Sequence, residues 1–176
     1  MRYLWLAAVD FELNVVRALR GGTDDVFLCG GVGPGATRRA LAPVLADCGC
    51  DLAIDVGLAG SYGGGIPLGG VVQVVTECFG DRPGVPLVNP APPALFSALP
   101  QAAGNTVPAL EARWRCVPAD VETMEGAAFF EACLAAAIPF AEIRAVSNVV
   151  GETDHARWDI PLALQNLQNC LSTLSF

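Results

Sequence analysis

Several short runs of apolar residues in this sequence lack the polar alternation of a strand that has one face in water. The runs span residues 2–9, 26–29, 52–56, 71–76 and 141–147. Strands that are apolar throughout are typical of sheets covered on both faces. Segments with helical spacing or strong helix formers separate the runs, at 11–19, 35–47, 122–136 and 160–171. The pattern therefore predicts an α/β fold whose sheet lies between helices.

The length of the chain predicts one domain. It has 176 residues, of which 53% are hydrophobic, and a single core can bury most of such a chain. Prolines recur between residues 81 and 118. We expect a mostly irregular region there, within one domain spanning 1–176.

Charge and the length of the apolar runs argue against two classes of partner. The net charge is −8 with no lysine and ten arginines, so no basic patch of the density that nucleic acid requires is expected. No apolar run approaches the roughly 20 residues that span a bilayer. The apolar start is interrupted by Asp10 and Glu12 and is too short for a signal peptide. We therefore expect a cytoplasmic protein that binds neither nucleic acid nor membrane.

The seven cysteines lie in apolar stretches and predict buried, reduced thiols. Cys48-Gly49-Cys50 lacks the CxxC spacing of a redox pair, and no second Cys or His cluster completes a zinc site. The only histidine, His155, follows Asp154 in a polar segment typical of a solvated loop. We predict no metal site and no cofactor.

Two features near the predicted strand ends leave two interpretations open. Glu12 follows the first strand, where the ligand crevice of an open α/β sheet usually lies, and would suit a base. Alternatively, Asp10 and Glu12 only complement the dipole of the following helix. The turns Gly30–Gly35 and Gly57-Leu58-Ala59-Gly60 bring backbone close either to a ligand or to another part of the chain.

The segments 121–128 and 142–148 place charges in apolar surroundings. Glu122 and Glu125 begin a predicted helix that is otherwise almost purely apolar, and Arg144 lies inside a predicted buried strand. A buried charge is costly unless it is paired or functional. Either Arg144 pairs with one of these glutamates, or the charges line a polar pocket for a polyhydroxylated ligand.

Taken in order, the motifs resemble the nucleoside phosphorylase superfamily, in the branch of the methylthioadenosine/S-adenosylhomocysteine nucleosidases and futalosine hydrolases. The matching segments are Ala8-Val9-Asp10-Phe11-Glu12, Gly31-Val32-Gly33-Pro34, Gly57-Leu58-Ala59-Gly60 and Met124-Glu125-Gly126-Ala127-Ala128. The block from Arg144 through Ser147-Asn148 to Gly151 is most similar to the futalosine hydrolases. The resemblance covers about residues 1–80 and 119–171, and implies that the region 81–118 is shortened.

The resemblance implies a three-layer α/β/α sandwich around a central mixed β-sheet, and it implies roles for individual residues. Glu12 would activate the attacking water, with Arg144 holding that glutamate and the water. Glu125 would hold the ribose hydroxyls and Met124 would pack under the sugar. The resemblance extends the substrate-binding set to Gly33, Ala59, Gly60 and Glu122. It also implies a homodimer or a higher homo-oligomer.

Asn148 is the third predicted catalytic residue and favours a 6-oxopurine. Such a base presents two acceptors, O6 and N7, to which an amide NH₂ can donate, whereas adenine is matched better by a protonated aspartic acid. We therefore predict hydrolysis of the N-glycosidic bond of a purine nucleoside, with futalosine as substrate and a place in menaquinone biosynthesis. Arg113 or Arg115 would meet the benzoate of that substrate. The alternatives are another purine nucleosidase of the methylthioadenosine type, a phosphorylase, or a nucleoside-binding protein without catalysis.

Overall fold

The computed structural model describes residues 1–63, 65–82, 84–110, 115 and 118–176. Its strands are β1 Tyr3–Ala7, β2 Val26–Cys29, β3 Leu52–Ser61, β4 Val71–Phe79, β5 Leu87–Val88, β6 Gln101–Thr106, β7 Val121–Thr123 and β8 Phe140–Val149. Its helices are α1 Asp10–Arg20, α2 Pro34–Asp47, α3 Gly126–Ala136 and α4 Ile160–Ser172. Short 3₁₀ turns span Ala94–Phe96 and His155–Arg157.

All eight strands belong to one mixed sheet. Strand β1 pairs in parallel with β2 on one side and β3 on the other. The strands β3, β8, β4, β6 and β7 then pair in sequence, and β7 returns to β3, so five strands close into a ring. Strand β3 is ten residues long because its first half pairs with β1 and its end pairs with β7.

Helices cover both faces of the sheet, as the apolar runs predict. Alternate residues of β1 enter two cores: Trp5 packs in the core that also contains Leu13 of α1 and Leu167 of α4. Leu6, on the opposite face, packs in the core that contains Leu41 of α2 and residues of α3. A strand buried on both faces requires apolar side chains at every position, which explains the lack of alternation.

One predicted boundary is wrong, and the region predicted to be mostly irregular contains a strand. Residues 101–106 lie in the region expected to be mostly irregular, yet they form β6, which is held between β4 and β7. The helix expected over 122–136 begins at Gly126, because Glu122 and Thr123 pair as strand β7 with β3 and β6. In both places hydrogen bonds to distant strands override weak local preferences.

The predicted burial of the cysteines holds for three of the six that the structure describes. Cys48, Cys78 and Cys133 are buried, and Cys50 and Cys170 are half-buried. Cys29 is exposed at the end of β2, and Cys116 lies outside the described residues. Within the described part of the chain, no helix combines the length and apolar character needed to cross a bilayer.

Candidate active site

A cavity of about 220 Å³ opens where the carboxyl ends of β1, β3 and β8 meet the junction between β7 and α3. Most of the predicted site residues line it: Glu12, Ala59, Gly60, Glu122, Met124, Glu125 and Asn148. Two predicted residues lie behind its wall. Gly33 reaches the cavity only through a hydrogen bond to Glu125, and Arg144 is almost completely buried.

Glu12 lies in the first turn of α1 with its carboxylate turned into the cavity wall. It is 6% exposed. Its Oε1 accepts a hydrogen bond from the backbone N–H of Leu58 at 2.9 Å, and its Oε2 accepts one from that of Val9 at 3.3 Å. Burial raises the pKa of Glu12, while the Leu58 N–H and the charge of Arg144 act in the opposite direction. The carboxylate is therefore rigidly held and well suited to accept a proton.

Asp10 differs from Glu12 although both lie in the first turn of α1. The Asp10 side chain is 71% exposed and forms an ion pair with Arg17 at 3.1 Å. An exposed carboxylate at a helix N-terminus is explained by the helix dipole. The buried position of Glu12 on the cavity wall requires a different explanation.

Arg144 pairs with acidic residues that are not among the predicted site residues. Its Nε donates to Glu142 Oε1 at 2.7 Å and its Nη2 donates to Asp55. The alternative of an ion pair with Glu122 or Glu125 is therefore wrong. Burial by itself would lower the pKa of Arg144, but the adjacent carboxyl groups of Asp55 and Glu142 raise it overall, which keeps the guanidinium charged.

Gly57 allows the guanidinium to approach Glu12. A Cβ at Gly57 would lie 2.5 Å from Arg144 Nη1 and 3.0 Å from Glu12 Oε1. Any side chain here would displace one of the two groups. The glycine of the Gly57-Leu58-Ala59-Gly60 motif thus has a specific steric reason.

Three fully buried carboxyl groups share this one cation. Glu77 lies beside Glu142, since a Cβ at Gly126 would overlap both, and it accepts hydrogen bonds from Thr106 and Thr123. Burial raises the pKa of Glu77, Glu142 and Asp55. Because one arginine cannot neutralise three carboxylates, the cluster favours protonated carboxyls.

Glu125 links two helix starts at the cavity. It is the N-cap residue of α3 and is 5% exposed. Its Oε1 accepts from the backbone N–H of Gly33, the N-cap residue of α2, at 2.9 Å. Gly33 has φ +91°, a conformation that favours glycine. No residue that the structure describes donates a hydrogen bond to Glu125 Oε2, which leaves that oxygen to a ligand in the cavity.

A β-bulge sets the direction of Asn148. The register between β3 and β8 shifts after Ala59, which pairs with Val146, so that Gly60 pairs with Asn148 and Ser147 is the extra residue. The Ser147 hydroxyl donates to Asn148 Oδ1 at 2.9 Å. The Asn148 NH₂ donates one hydrogen to the Val149 carbonyl at 3.3 Å, so its second hydrogen is the one available to a ligand.

Three acidic residues around Arg144 were not predicted from the sequence: Asp55, Glu77 and Glu142. Asp55 and Glu142 are acidic residues inside apolar runs, and Glu77 directly follows such a run. The same signal had identified Arg144. Of the two arginines suggested for a benzoate, Arg113 lies outside the described residues. The Arg115 guanidinium lies 4.1 Å from the centre of the Tyr62 ring. His155 is exposed and contacts the ring of Trp158.

Comparison of the sequence with known proteins finds relatives that cover most of the chain. The profile of the Phosphorylase superfamily matches residues 100–175. The futalosine hydrolase of Thermus thermophilus is 34% identical, over 97% of this chain and 89% of its own length. The futalosine hydrolase of Streptomyces coelicolor is 29% identical, over 90% of this chain and 68% of its own length.

Solved structures share the fold. A futalosine hydrolase mutant of Helicobacter pylori superposes with a TM-score of 0.84 at 14% identity, covering 98% of this chain and 97% of its own. A methylthioadenosine/S-adenosylhomocysteine nucleosidase of Colwellia psychrerythraea, in complex with adenine, superposes with a TM-score of 0.82 at 18% identity, covering 99% and 96%. The predicted α/β fold around a central mixed sheet is confirmed.

Proposed function

Since this chain belongs to the futalosine hydrolases of the phosphorylase superfamily, and is therefore a nucleosidase that hydrolyses N-glycosidic bonds, we propose that its substrate is futalosine. The products would be hypoxanthine and the remaining sugar derivative. The observation that carries the proposal is that Glu12, Glu125 and Asn148 line one cavity. These three side chains have the chemistry for water, ribose and base, respectively.

In the proposed reaction Glu12 takes a proton from a water molecule that attacks the anomeric carbon. The bond to the base breaks as the sugar gains positive charge, which a nearby carboxylate stabilises. Two backbone N–H groups hold the Glu12 carboxylate, so little reorganisation accompanies the proton transfer. Arg144 acts from behind Gly57 as a positioning residue that favours the ionised form of Glu12.

The sugar is proposed to lie between Glu125 and Met124. With Oε1 held by Gly33, Glu125 offers Oε2 to the ribose hydroxyls. Met124 lines the same cavity and supplies an apolar surface. Ala59 carries only a methyl group and Gly60 has no side chain, so both leave room for the nucleoside.

Asn148 is proposed to hold the departing base. Since Ser147 fixes its amide oxygen, its NH₂ is directed at acceptors, and a 6-oxopurine presents O6 and N7. A hydrogen bond to N7 also stabilises the negative charge that develops on the base as the bond breaks.

The test is to incubate the purified protein with futalosine, inosine and methylthioadenosine, each with and without phosphate, and to follow the base by chromatography. We expect hypoxanthine from futalosine at a rate that does not depend on phosphate. A phosphate requirement would indicate a phosphorylase, adenine release would indicate the methylthioadenosine type, and no release from any nucleoside would refute an enzymatic role.

We also propose that residues 1–176 act as one domain in a homodimer or higher homo-oligomer. Phe11, Val32 and Leu110 line the cavity and yet are 49%, 55% and 52% exposed, so a second copy could cover the cavity mouth. Light scattering after size exclusion would test this, and a monomer would refute it.

We propose that the reaction takes place in the cytoplasm and belongs to menaquinone biosynthesis. A gene deletion that leaves menaquinone levels unchanged would contradict the place in that pathway.

A further inference from the structure

Glu122 and Asn148 are placed symmetrically about one glycine. Gly60 of β3 is the register partner of Glu122 on β7 and of Asn148 on β8. Residues directly opposite each other on neighbouring strands point to the same face of a sheet. The backbones of Glu122 and Asn148 are therefore two strand spacings apart, roughly 10 Å, and their side chains share a face.

Gly60 leaves room for the Asn148 amide. A Cβ at Gly60 would lie 3.0 Å from Val150 Cγ2 and 3.1 Å from the Asn148 amide nitrogen, so a larger residue would crowd both side chains. Glu122 and Asn148 both line the main cavity and also a smaller one of about 110 Å³ beside it. A planar ligand that reaches both side chains within these cavities would meet an amide at one end and a carboxylate at the other.

The hydrogen bonds around Glu122 make it an acceptor. The Tyr62 hydroxyl donates to Glu122 Oε2 at 2.9 Å and itself accepts from Asn105 Nδ2 at 2.7 Å. Because the single phenolic proton points at Glu122, this carboxyl group is held as an acceptor. Within the described part of the chain no hydrogen bond is recorded to Oε1, which leaves that oxygen to a ligand.

We propose that Glu122 accepts a hydrogen bond from N1–H of the 6-oxopurine, and that this contact makes it a specificity-determining residue of the site. The inference rests on the proposed function and extends it from Asn148 to the far edge of the base. A 6-oxopurine carries a proton on N1, whereas N1 of a 6-aminopurine carries a lone pair that a carboxylate repels. Asn148 and Glu122 together match the oxo base at O6/N7 and at N1.

The first experiment compares wild type and Glu122→Gln on futalosine and on its counterpart with adenine in place of hypoxanthine. The glutamine NH₂ can donate to the adenine N1. We therefore expect kcat/KM for futalosine to fall at least about tenfold, and the ratio of kcat/KM between the two substrates to shift towards the amino form by about a hundredfold or more. Glu131→Gln, the same change at a residue paired with Arg38 outside both cavities, should leave the ratio unchanged. An unchanged ratio in Glu122→Gln would overturn the inference.

A second experiment needs no variant. Binding of hypoxanthine, 1-methylhypoxanthine and adenine to the wild-type protein is measured by calorimetry. We expect hypoxanthine to bind at least about a hundredfold more tightly than the methylated base, which lacks the N1 proton. Equal affinity for both would overturn the role of Glu122. If futalosine is not hydrolysed but hypoxanthine is still preferred, the proposed function fails while this inference stands.

Discussion

Replacing Glu12 by glutamine tests the base directly, because the substitution keeps the size of the side chain and removes its ability to take a proton. A positioned general base contributes at least about a hundredfold to the rate. We therefore expect kcat to fall by about a hundredfold or more, which corresponds to roughly 2.7 kcal/mol of transition-state stabilisation.

The structure also gives the cost in stability. Both carboxylate oxygens of Glu12 accept a backbone N–H, from Leu58 and from Val9, whereas glutamine has only one accepting oxygen. One N–H would then face an NH₂ group, and a buried donor without its acceptor costs about 1–3 kcal/mol. Urea denaturation measures this loss separately from the loss in kcat.

The assay is base release from futalosine at saturating substrate, across a range of pH. Burial raises the pKa of Glu12, so wild-type kcat should fall with decreasing pH at values above those typical of an exposed glutamate, whereas Glu12→Gln should lack this transition. Asp10→Asn is the matched control, since it removes an exposed carboxylate from the same helical turn and should cost at most about 1 kcal/mol. Wild-type kcat in Glu12→Gln, or an equal loss in Asp10→Asn, would refute the assignment.

Three further changes probe the residues behind the cavity wall. Gly57→Ala would put a Cβ 2.5 Å from Arg144 Nη1 and 3.0 Å from Glu12 Oε1. We expect the free energy of unfolding, measured by urea denaturation, to fall by about 1–3 kcal/mol and kcat to fall as well. A wild-type kcat would show that the close approach of Arg144 to Glu12 is not needed. Arg144→Met leaves Asp55 and Glu142 without their cation, so the free energy of unfolding should fall by about 3–5 kcal/mol at neutral pH and by less in acid. A loss of stability that does not depend on pH would contradict the ion pairs. Burial raises the folded-state pKa of Glu77, so its contribution to stability is present below the ordinary glutamate pKa and is lost as pH rises through the raised value. The stability of Glu77→Gln should therefore rise relative to wild type as pH increases above the range in which an exposed glutamate titrates, and parallel stability curves would refute this.

The site shows where sequence reasoning succeeds and where it stops. Glu12, Glu125 and Asn148 were selected from motifs and line the same cavity. Arg144 was selected because a charge in an apolar strand needs a partner, but its partner could not be named. Asp55 is distant from Arg144 in the sequence, and only the parallel pairing of β3 with β8 brings the two together.

What the sequence determined by itself is the layered fold and the identity of the groups for which we propose chemical roles. Unbroken apolar runs require helices on both faces of the sheet, since no alternate position can face water. The tertiary structure alone decided that Glu122 lies on a strand and that β3 and β8 close into a ring with β4, β6 and β7. It also decided that a bulge at Ser147 aligns Asn148 with Gly60. The physical reason is that register depends on hydrogen bonds between strands far apart in the chain, and a shift of one residue turns every side chain to the opposite face.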